Sequence, residues 1–137
     1  MQLLCGWRAA QPLTEAAGEE ARPRPKYVEK AKQKADKRLR KADDDIERLH
    51  RARKAMKRAR YAAELVEPAD GQMKAIAREA EEMQTLLGEH QDATVAANFL
   101  ATASAAVDGG QGTGFTYGIL MANELNRAAE IRASLTK

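Results

Sequence analysis

Cysteine is almost missing from this sequence of 137 residues. The one present, Cys5, has no partner for an internal disulfide and cannot build a thiolate metal cluster alone. Aromatic residues make up only 4%, too few for the stacking platforms on which proteins splay unpaired bases. Proline is absent after Pro25 except at Pro68, so little interrupts helix formation over the last four-fifths of the chain. Long apolar runs are lacking too: none approaches the roughly 20 residues that a membrane-spanning helix needs. The opening Met1-Gln2-Leu3-Leu4-Cys5-Gly6-Trp7 has neither a basic n-region nor a long apolar h-region. A secretory signal is therefore not expected, and a cytoplasmic location is.

Helix-forming residues supply what is there. Ala, Leu, Glu, Lys and Arg recur throughout, and their side chains lose little rotamer freedom in a helix. Hydrophobic residues account for 44% and charged residues for 31%, the balance of one folded domain with a single core. The net charge of +3 hides a segregation. From Arg22 to Arg60, 17 Lys and Arg stand against 6 Asp and Glu; from Tyr61 to Lys137 the count is 5 against 11. A basic segment joined to an acidic one creates a localised positive field and points to an anionic partner.

Residues 1–25 read as an extended lead-in, punctuated by Pro12, Gly18, Pro23 and Pro25, from which Leu3, Leu4 and Trp7 can dock on a groove. Residues 26–137 read as a helical bundle. A first helix is expected from about Lys26 to Lys41, with Val28, Ala31, Ala35, Leu39 and Ala42 on one stripe. Asp43-Asp44-Asp45 interrupts the pattern and suits the start of a second helix, about Asp44 to Glu67. There Ile46, Leu49, Met56, Ala59, Ala63 and Val66 are expected inward. After the turn residues Pro68-Ala69-Asp70-Gly71, a third helix carries Met73, Ile76, Ala80, Met83 and Leu87, then Ala93, Val95, Ala97 and Leu100, with a kink or break expected near Gly88. A glycine-rich connector, Gly109-Gly110-Gln111-Gly112, leads to a last helix from about Thr113 to Thr136 through Phe115, Ile119, Leu120, Leu125, Ala128 and Ile131. The expectation is an all-α, antiparallel four-helix bundle.

One constellation carries chemistry. His50, Arg53, Lys57 and Arg60 are spaced three, four, three, which confines them to a helical sector of roughly 80°. Lys54 and Tyr61 flank that sector. The apolar stripe of Leu49, Met56, Ala59 and Ala63 lies beside it rather than opposite, so the cations border the core where a neighbouring helix can wall them into a groove. Arg offers a planar fork to phosphate oxygens and Lys a mobile point charge, and together they can follow a flexible anion. Lys32 and Arg38, flanking the first helix's apolar stripe, are candidates for the same groove. Lys30, Lys34, Lys37 and Lys41 point away from that stripe and read as a solvated face. For the main constellation, a solvated face and an anion site remain comparable readings on these residues alone.

Leu49-His50-Arg51-Ala52-Arg53-Lys54-Ala55-Met56-Lys57-Arg58-Ala59-Arg60-Tyr61-Ala62-Ala63-Glu64 closely resembles the signature of the CHAD family, the conserved histidine α-helical domain. Leu86-Leu87-Gly88-Glu89-His90-Gln91-Asp92 resembles that family's second motif, and Gly114-Phe115-Thr116-Tyr117-Gly118 the closing helix of its actinobacterial-type members. The resemblance extends from about Trp7 to the C-terminus. It implies a non-catalytic module that binds inorganic polyphosphate, without a cofactor, in a cytoplasmic setting that includes polyphosphate granules. His50, Arg53, Lys57 and Arg60 fall on the signature positions with Lys54 and Tyr61 beside them. His90 and Asp92 fall on the second motif. The chain departs from the family in length: a complete domain has two four-helix halves, each with a basic signature helix, and this chain has one such helix, corresponding to the C-terminal half. Either the chain binds weakly with half a groove, or a second copy or a missing N-terminal half pairs with it to rebuild one.

Three rivals stand beside this reading. A metal site on His50 and His90, with Asp92 or Glu89, would place a dication among cations, so none is expected. Nucleic acid would be held only non-specifically, since no reading motif is evident. An enzyme transferring phosphate would need metal-binding carboxylates or a phosphate loop; Gly109–Gly114 lacks the Lys-Ser/Thr pair and a preceding strand. No membrane association is expected.

Overall fold

A computed structural model describes residues 24–66, 68, 70–107 and 111–137. The readings placed on residues 1–23, including Leu3, Leu4, Cys5 and Trp7, lie outside the described residues, as do Glu67, Ala69 and Asp108–Gly110.

Among the described residues, the chain forms four α-helices: α1 (Pro25–Arg40), α2 (Ile46–Val66), α3 (Gly71–Ala106) and α4 (Gln111–Leu135). Pro25 opens α1 at a position where its missing N–H costs nothing, behind the extended Arg24. The turn into α2 places Asp43 in the left-handed region, at φ 46°, which the short polar side chain of Asp tolerates. Asp45 then caps α2: its Oδ1 accepts the Arg48 N–H at 3.0 Å. Asp70 does the same for α3, accepting the Gln72 N–H at 2.9 Å.

Each helix packs antiparallel on the next, α1 on α2, α2 on α3 and α3 on α4, and α1 also touches α3. Val28 meets Ala62, Ala63, Val66, Met73 and Ala77 at one end. Leu39 and Ala42 meet Leu49, Ala52, Met56 and Leu87 at the other, where Leu135 at the end of α4 closes the cluster. The core is rich in alanine, so α1, α2 and α3 lie close together. No helix among the described residues is long and apolar enough to cross a membrane.

Three details differ from expectation. Gly88 does not break α3, which runs on for 36 residues. A lone glycine costs a helix only about 0.5–1 kcal/mol relative to alanine, and here it has a packing reason. A Cβ at Gly88 would stand 3.2 Å from Nη2 of Arg53, so the glycine makes room for that guanidinium. Ile46, at the first position of α2, is exposed rather than inward. The last helix begins at Gln111, and its apolar residues are largely uncovered: Phe115 is 72% exposed, and Ile119, Leu120 and Leu125 are exposed with it. The cause is topological. α2 begins at Ile46, beside Val95 and Asn98, so α3 continues past it by about 12 Å, with only α4 beside it among the described helices. Val95 and Phe99 are left exposed on the same projecting pair of helices.

Candidate functional site

Helix α2 sets one flank toward α3 and the other toward α1, and its outward surface is basic along most of its length. His50, Lys54 and Lys57 are exposed there, with no carboxylate bonded to them among the described residues. Arg53 and Arg60 stand at the seam with α3. Arg53 Nη1 donates to Gln91 Oε1 at 3.1 Å, and its half-buried guanidinium lies over Gly88. Arg60 donates from Nε to Glu64 at 2.9 Å and from Nη1 to Glu81 at 3.3 Å. Tyr61 sits between two of the cations: Lys57 Nζ is 5.6 Å and Arg60 Cζ 5.3 Å from its ring centroid, within reach of a cation–π attraction. The structure therefore gathers His50, Arg53, Lys54, Lys57, Arg60 and Tyr61 on one surface. Arg53 and Arg60 are hydrogen-bonded to neighbouring side chains, while Lys54 and Lys57 are exposed.

The two histidine motifs also meet. His50 and His90 line one cavity of about 160 Å³ between α2 and α3, with Arg53, Gln91 and Thr94. Asp92 does not line it and is exposed on α3. No group of three or more His, Cys, Asp and Glu among the described residues is close enough to hold a metal ion. Burial, and then the positive charge of Arg132, push the His90 pKa below the ordinary histidine value, against an opposing pull from Asp44. Protonation of His90 consequently favours the unfolded chain. Stability is complete above the ordinary histidine pKa and falls as pH drops through it toward the lowered folded value. Thermal melts between pH 7.5 and 5.5 should show this loss, and His90→Gln should flatten the slope; an equal slope in the variant would assign it to other groups.

Lys32 and Arg38 are not brought to this surface, nor to each other. Lys32 is buried, 7% exposed, on the inward row of α1 with Val28, Ala35 and Leu39. Its Nζ donates to Asp36 at 2.8 and 3.0 Å and to Glu79 on α3 at 3.0 Å. Burial alone would lower its pKa, but the hydrogen bonds and charges of those two carboxylates outweigh it and hold the ammonium above the ordinary lysine value. Lys32 is a clamp between helices, with its donors already taken. Arg38 lies on the far side of α2, in a cleft toward α1. The pairing residues Gln91, Glu81 and Glu79 escaped the sequence reading, because each acts across helices and carries no local signal.

The fold and this surface define an all-α domain that concentrates positive charge on one helix. The chain matches the CHAD domain over residues 1–101, through α3 almost to its end, and it belongs to that family. Two uncharacterized proteins of Mycobacterium tuberculosis, from strains CDC 1551 / Oshkosh and ATCC 25618 / H37Rv, are each 42% identical to it over 90 residues. That match covers 65% of this chain and 16% of either relative, so the chain spans a small part of their length. No solved structure matches it significantly.

Proposed function

We propose that this chain is a non-catalytic binding module for inorganic polyphosphate, held along the exposed face of α2. The observation that carries the reading is the composition of that face. Among the described residues, His50, Lys54 and Lys57 have no carboxylate partner, and they stand beside Arg53 and Arg60 over about three turns of helix. Such a row attracts a chain of phosphates by Coulomb force and matches it with charge-assisted hydrogen bonds. Membership of the CHAD family supports polyphosphate as that polyanion. The Arg53 guanidinium, held in place by Gln91, offers preorganised donors at little entropic cost, while the long lysine stems can follow the ligand's conformation.

Several side chains also serve structure. Arg60 shares its charge with Glu64 and Glu81 at the surface, and such exposed pairs contribute only about 0–1 kcal/mol, so a multivalent anion can compete for it. Nucleic acid offers phosphates too, but the face presents one aromatic ring, Tyr61, and no stacking platform. At matched phosphate concentration, long-chain polyphosphate is expected to displace fluorescent single-stranded DNA from the chain. If DNA displaces polyphosphate instead, the chain is a nucleic-acid binder. The pairing of two copies belongs to this reading as well: a second α2 face would double the row of cations available to one polyphosphate chain.

A further inference from the structure

The opposite flank of α2 holds a second concentration of positive charge that the signature does not include. Lys34, Lys37, Arg38 and Lys41 from α1 converge with Arg48 and Arg51 from α2 on an open cleft of about 600 Å³. A smaller cleft of about 260 Å³ shares Lys34 and Arg38 and carries the same groove onward to Lys30 and Arg58. Among the described residues, no carboxylate lines either part. From Lys30 to Lys41 the groove follows α1 for about 16 Å.

Ordinary causes explain only part of it. Cations in the last turn of α1 are favoured by the helix dipole, which accounts for Lys37 and Arg38. It does not account for Lys34, which lies in neither terminal turn, nor for Arg48. Arg48 stands in the first turn of α2, where the dipole disfavours a cation. A solvated lysine row would point away from its neighbours, whereas this one faces a second row across a concavity. Arg48 is 3.5 Å from Asp45, and Arg51 is 3.0 Å from Glu47, both at the exposed surface. Lys34, Lys37, Arg38 and Lys41 have no side-chain partner among the described residues. Mutual repulsion in such a groove is relieved by an anion lying along it.

We infer that the α1–α2 groove is a second track for a linear polyphosphate, separate from the exposed face of α2. The inference rests on the proposed polyphosphate reading and deepens it. A short chain occupies one track; a long chain crosses the outer surface of α2 at Lys54 and Arg58 and occupies both. Affinity therefore rises with chain length beyond what one face provides, because the second binding event is intramolecular.

Three variants test it: Lys34→Ala/Lys37→Ala/Lys41→Ala in the groove, Arg53→Ala/Lys57→Ala/Arg60→Ala on the α2 face, and Lys26→Ala/Lys74→Ala/Lys137→Ala as a control that removes the same charge elsewhere. Each is titrated with long-chain polyphosphate and with tripolyphosphate, after circular dichroism verifies helicity. The groove variant should bind long chains at least tenfold more weakly with a shallower salt dependence, and should lose one of two tripolyphosphate sites. The control should change affinity less than threefold. Wild-type affinity in the groove variant, or an equal loss in the control, overturns the second track. If the α2-face variant alone loses binding, the track fails while the functional reading stands. If the unaltered chain binds no polyphosphate, the functional reading fails and takes the track with it.

Discussion

Replacing Arg53, Lys57 and Arg60 together by alanine should weaken binding of long-chain polyphosphate about a hundredfold or more and leave the helical content unchanged. The magnitude follows from about 1 kcal/mol for each of the three cations removed from the phosphate chain, and each 1.4 kcal/mol is a factor of ten. The fold should tolerate the change. Alanine is the best helix former, and removing three like charges at spacings of three and four relieves repulsion along α2. Against that stand the Arg53–Gln91 hydrogen bond and the surface pairs of Arg60 with Glu64 and Glu81. Surface ion pairs are worth about 0–1 kcal/mol each, so the net effect on stability is small. Titration calorimetry measures the affinity and circular dichroism the fold. Full affinity in a folded triple variant would remove the α2 face from the site.

The largest effect on stability is expected at Lys32. Substitution by alanine removes the hydrogen bonds from Nζ to Asp36 and Glu79 and the packing of the stem among Val28, Ala35 and Leu39. Hydrogen bonds to charged groups contribute about 1.5–3 kcal/mol. Asp36 and Glu79 are partly exposed and regain water, which trims the cost to about 2 kcal/mol. For a domain of this size the thermal midpoint should fall by roughly 8 °C. Lys32→Met, which keeps the stem, separates packing from charge and should recover part of that loss. Because the Lys32 pKa is raised, the clamp is complete below the ordinary lysine pKa and is lost only as pH rises through the raised value. Polyphosphate affinity should stay within about twofold of wild type at neutral pH. Weaker binding with an unchanged midpoint would instead make Lys32 a ligand-binding residue.

Helices α1 and α2 were legible because their apolar residues recur at threes and fours and because the aspartates between them stop one helix and cap the next. The α2 face was legible for the same reason: three, four, three spacing shows which side chains share a surface without any knowledge of neighbours. What depends on neighbours was not. Lys32 occupies the apolar row of α1, and only the arrival of Glu79 from α3 explains a lysine there. Gly88 carries the sign of a break, yet it is the space that Arg53 fills. Phe115, Ile119, Leu120 and Leu125 have the hydrophobicity of a core, but burial requires a covering element, and among the described helices α4 packs only on α3. The lysine row of α1 is exposed as its pattern implies, but only the position of α2, with Arg48 and Arg51 opposite, makes it one wall of a cleft.

The central claim is that this chain binds polyphosphate through rows of positive charge. Direct titration of the unaltered chain with long-chain polyphosphate, repeated across a series of salt concentrations, tests it most directly. The account predicts saturable binding at low salt and an affinity that falls linearly on logarithmic axes as salt rises, with a slope of several units for several phosphates neutralised. Absence of saturable binding at low salt, where the attraction is strongest, or an affinity indifferent to salt, would contradict it.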